Sequence, residues 1–101
     1  MSIEREFSED KTQLTIFVNE RFDFNQVQEF RAAYSEDSDT VSTILIDLHK
    51  TEYMDSSALG MLLNMQKTLG SQVSTFKIVN CRPQVLKILG IARFSKKFTI
   101  S

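Results

Sequence analysis

Ile44-Leu45-Ile46-Asp47-Leu48, followed after a polar break by Tyr53-Met54-Asp55-Ser56-Ser57-Ala58-Leu59-Gly60, is the stretch that decides the fold. The first half is a continuous apolar run bounded by polar loops, which predicts a central strand covered on both faces. The second half hands that strand to a helix. Asp55, Ser56 and Ser57 carry short oxygen side chains, the kind that accept hydrogen bonds from the free N–H groups of a first helical turn. Ala58, Leu59, Leu62, Met65 and Leu69 then recur with helical spacing, and Gly70 stops the run.

Other strand and helix patterns lie on both sides. Toward the C-terminus, Thr75-Phe76-Lys77-Ile78-Val79 reads as the next strand. Pro83 suits the first turn of a third helix with Val85, Leu86, Ile88 and Leu89 as its buried face, Gly90 as its C′ residue, and Lys97–Ile100 as a last short strand. Toward the N-terminus, Gln13–Val18 is rich in strand formers, and Ser8–Lys11 forms a hairpin turn back to Ile3–Phe7. That last segment alternates Ile3, Arg5 and Phe7 against Glu4 and Glu6, as a charged edge strand does. Between Val18 and Ile44, Asn25 and Gln28 have the spacing of a capping box ahead of the stripe Val27, Phe30, Ala33, Tyr34. Ser35–Asp39 is a solvated acidic loop. The order β-β-α-β-α-β-α-β predicts one α/β domain over residues 1–101. Its sheet is mixed but mostly parallel, of four to five strands, joined by right-handed crossovers through packed helices.

Bulk properties narrow the function. The chain has 101 residues, 42% hydrophobic and 25% charged, enough apolar mass for a real core. Its longest pure apolar run is three residues, against the roughly 20 of a membrane span. The opening Met1–Glu6 has no signal-peptide core, so the expected location is cytoplasmic, with no membrane partner. Cys81 and His49 each stand alone, which excludes an internal disulfide and a zinc cluster. Every Asp and Glu precedes Ser56, whereas Lys67, Lys77, Arg82, Lys87, Arg93, Lys96 and Lys97 follow it. Strands from both halves share one sheet, so this asymmetry does not by itself define a basic patch. No aromatic platform accompanies the basic residues, and no nucleic-acid partner is expected.

The helix after Asp55 is the candidate site. On a wheel of about 100° per residue its apolar arc spans about 200°, wider than packing on one core requires. The remaining face is Gly60, Asn64, Lys67 and Thr68, with Met61 and Leu63 at its edges. A weakly polar face with apolar edges suits a partner surface; the other reading is a helix buried on two sides. A phosphate on Ser56, or alternatively on Ser57, would sit at a helix start that tolerates negative charge. It would also place about −1.5 to −2 charge beneath anything lying over Gly60 and Asn64. Catalysis is not expected. Ser56 lacks a Gly-x-Ser-x-Gly elbow and only His49 could act as its base. Asp47 and Asp55 have no accompanying metal ligands, and no Gly-rich loop marks a nucleotide site. His49 reads as a solvated loop residue, Cys81 as a small packed one, and Phe22 and Phe24 as core or staple residues.

At these residues the sequence resembles the STAS domain family, specifically the stand-alone anti-sigma factor antagonists. The marks are the strand Ile44–Leu48 ending near Asp47, the motif Asp55-Ser56-Ser57-Ala58-Leu59-Gly60, Arg21-Phe22-Asp23-Phe24 before the first helix, and Ile88-Leu89-Gly90-Ile91 followed by Phe94. Two departures stand out: Glu20 lies where the family usually has a glycine, and Ala58 replaces the motif's first glycine. The resemblance implies phosphorylation of the serine after the motif aspartate, here Ser56. It implies a GHKL-type serine kinase, itself the anti-sigma factor, as partner, and a PP2C-like phosphatase that reverses the mark. The unphosphorylated protein would capture the kinase and release that protein's other partner. Asp23 corresponds to an aspartate near the serine. The expected contact set is Asp23, Phe24, Asp55, Ser57, Gly60, Met61, Leu63 and Asn64, with no cofactor and no metal. The alternative is an anion- or nucleotide-binding STAS module without a phosphoserine switch.

Overall fold

The computed structural model describes residues 3–101; Met1 and Ser2, the first residues of the expected 1–101 domain, lie outside the described residues. Strands β1 (Ile3–Phe7) and β2 (Gln13–Val18) form an antiparallel hairpin. Its turn is tied by Asp10, whose carboxylate accepts from the Thr12 amide at 3.0 Å and the Thr12 hydroxyl at 2.7 Å. A two-residue strand β3 (Arg21–Phe22) follows, then a 3-10 turn over Phe24–Gln26 that runs into helix α1 (Val27–Ser35). Then come β4 (Thr43–Asp47), a second short strand β5 (Tyr53–Met54) and helix α2 (Ser56–Leu69). Strand β6 (Thr75–Val79), helix α3 (Pro83–Ile91) and β7 (Thr99–Ile100) complete the chain.

The main sheet has the order β1-β2-β4-β6-β7, with only the β1–β2 pair antiparallel. Each crossover, through α1, α2 and α3 in turn, steps the same way across the sheet. Crossovers of one hand stepping in one direction lay their helices on one face. Burial agrees with this. Leu14, Ile16, Val18, Ile44, Ile46, Phe76 and Ile78 are buried in one cluster with Phe30, Leu62, Met65, Val85 and Leu89 of the helices. The alternate residues Thr15, Phe17, Leu45 and Val79 are only partly covered, and Lys77 is exposed. The expectation that β4 is covered on both faces is therefore corrected. Leu45 lies on the open face between Thr15 and Lys77, its registered neighbours.

Three details of the helices also differ from the sequence reading. The capping box belongs to Asp23 and Gln26, not Asn25 and Gln28. Asp23 Oδ1 accepts from the Asn25 amide at 3.0 Å, and Gln26 Oε1 accepts from the Asp23 amide at 2.7 Å. The 3-10 turn starts the helical segment early, and Asp is a strong cap. Helix α3 runs through Gly90 to Ile91; the left-handed residue is Arg93, at φ 59°, and it delivers Phe94 onto the Phe98 ring at 5.4 Å. Leu86 is exposed, so the buried face of α3 narrows to Val85 and Leu89 with Ile88 partly covered.

A candidate switch site at the start of the second helix

The site is built on the two-stranded ladder β3–β5, which sequence patterning did not reveal because each strand is two residues long. Arg21 is registered with Tyr53 and Phe22 with Met54. The ladder begins where the Glu20 carbonyl accepts from the Glu52 amide at 2.8 Å and the Tyr53 amide at 3.1 Å. It ends where the Asp55 amide donates to the Phe22 carbonyl at 3.4 Å. Phe22 and Met54 point into the core, where Phe22 packs on Phe30 with ring centroids 5.2 Å apart. Alternation then sets Arg21, Asp23, Tyr53 and Asp55 on the other side.

Asp55 is the N-cap of α2. Its backbone is extended and its Oδ1 accepts from the Ala58 amide at 3.1 Å, which satisfies one of the helix's free donors. Ser56 directly after it is exposed, and Ser57 is partly covered. Ala58, at the motif's first glycine position, is fully buried. Its methyl group faces the core and leaves the outer face unaltered.

The outer face of α2 presents Gly60, Leu63, Asn64, Lys67 and Thr68, all exposed. A Cβ built at Gly60 meets nothing within 4 Å. Asn64 reaches the Tyr34 hydroxyl at 3.4 Å, and α1 flanks the helix on that side. Met61 corrects the sequence reading. It was expected at the exposed edge, yet it is 8% exposed and belongs to the core, because the neighbouring α1 covers that edge; its side chain lies with Phe30 and Tyr34 around a small crevice.

Asp23 is nearly buried beside this helix start, held by its capping bonds and by Arg21, whose Nε lies 3.4 Å from Asp23 Oδ2. The Arg21 guanidinium also covers the Tyr53 ring, 4.4 Å from its centroid, a cation–π contact. Phe24 projects outward at 69% exposed, the reverse of a core or staple residue. It stands on the 3-10 turn that Asp23 caps. The ladder thus gathers Asp23, Phe24, Asp55, Ser56 and Ser57 around the start of α2.

A second polar cluster sits at the carboxyl ends of β4 and β6. The Asp47 carboxylate accepts from the His49 amide at 2.9 Å, lies 2.8 Å from His49 Nδ1, and accepts from Asn80 Nδ2 at 2.9 Å. Burial pushes the Asp47 carboxyl up, but the His49 and Asn80 bonds outweigh it and hold the carboxyl below its usual value. Burial and the Asp47 charge push the Cys81 thiol up, away from the reactive thiolate. The His49 ring is half exposed, as expected of a loop residue, but is anchored on Asp47 and meets Phe17 edge-on at 6.3 Å. Arg82 Nε donates to the His49 carbonyl at 3.0 Å, and the Thr51 hydroxyl to the Asn19 carbonyl at 2.8 Å. These bonds pin the loop that feeds β5 and the start of α2. Among the described residues, no group of three or more His, Cys, Asp or Glu could hold a metal ion. No helix among them is long and apolar enough to cross a membrane.

Known proteins resemble the chain in sequence or fold. A STAS-domain containing protein of Pseudomonas aeruginosa is 43% identical over 94 residues, covering 93% of each chain. The unphosphorylated form of the anti-sigma factor antagonist SpoIIAA matches with a TM-score of 0.76 at 21% identity, over 98% of this chain and 86% of that one. The phosphorylated form of the Bacillus cell fate determinant SpoIIAA matches with a TM-score of 0.73 at 20% identity, over 98% and 90%. These likenesses place the chain in the SpoIIAA-like fold. The family model for the STAS domain matches residues 3–101, and on that span the chain belongs to the STAS domain family.

Proposed function

We propose that the chain is a cytoplasmic, phosphorylation-controlled anti-sigma factor antagonist, a binding module and not an enzyme. In its unphosphorylated form it binds a GHKL-type serine kinase that is also the anti-sigma factor, and so releases that protein's other partner. The kinase phosphorylates Ser56, and a PP2C-like phosphatase removes the mark. The observation that carries the reading is the position of Ser56. It is exposed directly after the Asp55 cap, at the start of a helix whose outer face is Gly60, Leu63 and Asn64. Phe24 and Asp23 extend the footprint from the first-helix turn, and Asp55 and Ser57 border it. Met61, being buried, supports the helix from beneath.

The energetics favour a switch over an unfolding event. A phosphate at the first turn of α2 meets the positive end of the helix, worth about 0.3–1 kcal/mol, so the fold keeps its stability. A partner seated on Gly60 and Asn64 meets the same charge in a desolvated contact, where mismatch costs several kcal/mol. Calorimetric titration of the kinase with wild type and Ser56→Asp tests this. The variant should melt within a few degrees of wild type and bind at least about tenfold more weakly, a loss of about 1.4 kcal/mol. Equal affinities for two folded proteins would remove the mechanism.

A further inference from the structure

We propose that Arg21 reads the phosphorylated state: once Ser56 carries a phosphate, the Arg21 guanidinium leaves Asp23 and clamps the phosphate oxygens. The proposal rests on the assignment of Ser56 as the acceptor and adds a residue to the switch. Its basis is the β3–β5 ladder. Arg21 lies on the outward side with Asp23, Tyr53 and Asp55, and its guanidinium already reaches across onto the Tyr53 ring, three residues before Ser56.

The present contact of Arg21 is built to be given up. Its Nε–Oδ2 separation of 3.4 Å exceeds the roughly 2.7–2.9 Å of a strong charge-assisted bond. Its side chain is 64% exposed, so water and salt weaken the pair further. The contact engages Nε, which leaves the terminal amino pair of the fork for a second anion. Asp23 does not depend on it, because Asp23 Oδ1 is fixed on the Asn25 amide and the Asp23 amide on Gln26. The Tyr53 ring meanwhile supports the guanidinium on the strand that leads into Asp55 and Ser56.

A phosphate on Ser56 changes the competition. It brings about −1.5 to −2 charge directly after the Asp55 carboxylate, and a cation adds to the helix end in offsetting that charge. Against a single carboxylate held at one oxygen, a phosphate offers three acceptor oxygens and greater charge, and guanidinium binds it bidentately. The exchange also uncovers Asp23 Oδ2 at the edge of the footprint. Modification would then alter the surface twice, adding charge at Ser56 and freeing a carboxylate beside Phe24.

The test installs phosphoserine at position 56 by genetic encoding, so that no kinase is involved, and titrates it by phosphorus NMR. In wild type the phosphate should lose its second proton at lower pH than in Arg21→Gln, with at least about tenfold weaker proton affinity, as an opposite charge within contact distance produces. Arg21→Lys should fall between the two, since lysine keeps the charge but loses the fork and the ring stacking. Identical titration midpoints for wild type and Arg21→Gln, both with the native thermal transition, would overturn the clamp. A midpoint for Arg21→Lys equal to wild type would overturn the bidentate geometry. Phosphosite mapping with the kinase is a separate experiment. A label on Ser57 there would remove the Ser56 assignment without altering the titration of installed phosphoserine.

Discussion

Replacing Gly60 with arginine should raise the stability of the domain while abolishing partner binding, and the opposed signs make it a demanding test. Gly60 is in the interior of α2, exposed, and beyond its chain neighbours and the helix's own backbone nothing lies within 4 Å of a built Cβ. Glycine in a helix interior costs about 0.5–1 kcal/mol relative to alanine, and arginine is nearly as good a helix former as alanine. With no clash to offset it, the variant gains most of that difference. For a domain of this size about 1 kcal/mol moves Tm by about 4–8 °C, so a rise of about 2–8 °C is expected. Binding should respond the other way. A long cation driven into a desolvated contact without a partner costs several kcal/mol; about 3 kcal/mol is already about a hundredfold in Kd. Thermal melting and calorimetric titration against the kinase read the two effects. Gly60→Ala is the control, with a similar rise in Tm and a small change in affinity. A fall in Tm for both variants would refute the claim that the position faces open space. Unchanged affinity of Gly60→Arg would refute the helix-face footprint.

Asp55→Ala removes the cap of α2 and should cost about 1 kcal/mol, lowering Tm by about 4–8 °C in differential scanning calorimetry, with the domain still folded. Asp47→Asn tests the cluster that pins the loop before β5, and should cost about 1–3 kcal/mol at neutral pH as the His49 contacts weaken. The folded Asp47 carboxyl lies below its ordinary value of 3.8, so its ionised form contributes stability that is fully present above that pH. The contribution is lost as pH falls through the lower folded value. Urea melts between pH 6 and 2 should therefore show a shallower acid limb for Asp47→Asn than for wild type.

The elements with strong periodicity were legible. Gln13–Val18, Thr75–Val79 and the helix Ser56–Leu69, stopped at Gly70, carry their pattern in local chemistry, and their bounds follow from it. Coverage of β4 was not legible, because an apolar residue such as Leu45 is compatible with either a sealed or an open face. Only the common direction of the three crossovers decides which. Met61 failed for a related reason: a single-helix wheel assigns angles but cannot know that α1 lies against that edge. Gly90 looked like a C′ residue, but the end of α3 is set by where Phe94 must enter the core, and Arg93 takes the left-handed turn. The ladder β3–β5 has no sequence signal of its own. Yet it pairs Arg21 and Phe22 with Tyr53 and Met54, more than thirty residues away in the chain, and so sets Asp23 at the strand end that leads into Asp55 and Ser56. In the sequence Arg21 stands only as part of Arg21-Phe22-Asp23-Phe24; its place beside Tyr53 depends on a register seen only in three dimensions.

The most direct test of the phosphoserine switch is to map the phosphate. The protein is incubated with the GHKL-type kinase and ATP, its intact mass is measured, and the modified peptide is sequenced by mass spectrometry. A single phosphate on Ser56, absent in Ser56→Ala and retained in Ser57→Ala, is the predicted result. A phosphate retained in Ser56→Ala and lost in Ser57→Ala would contradict it.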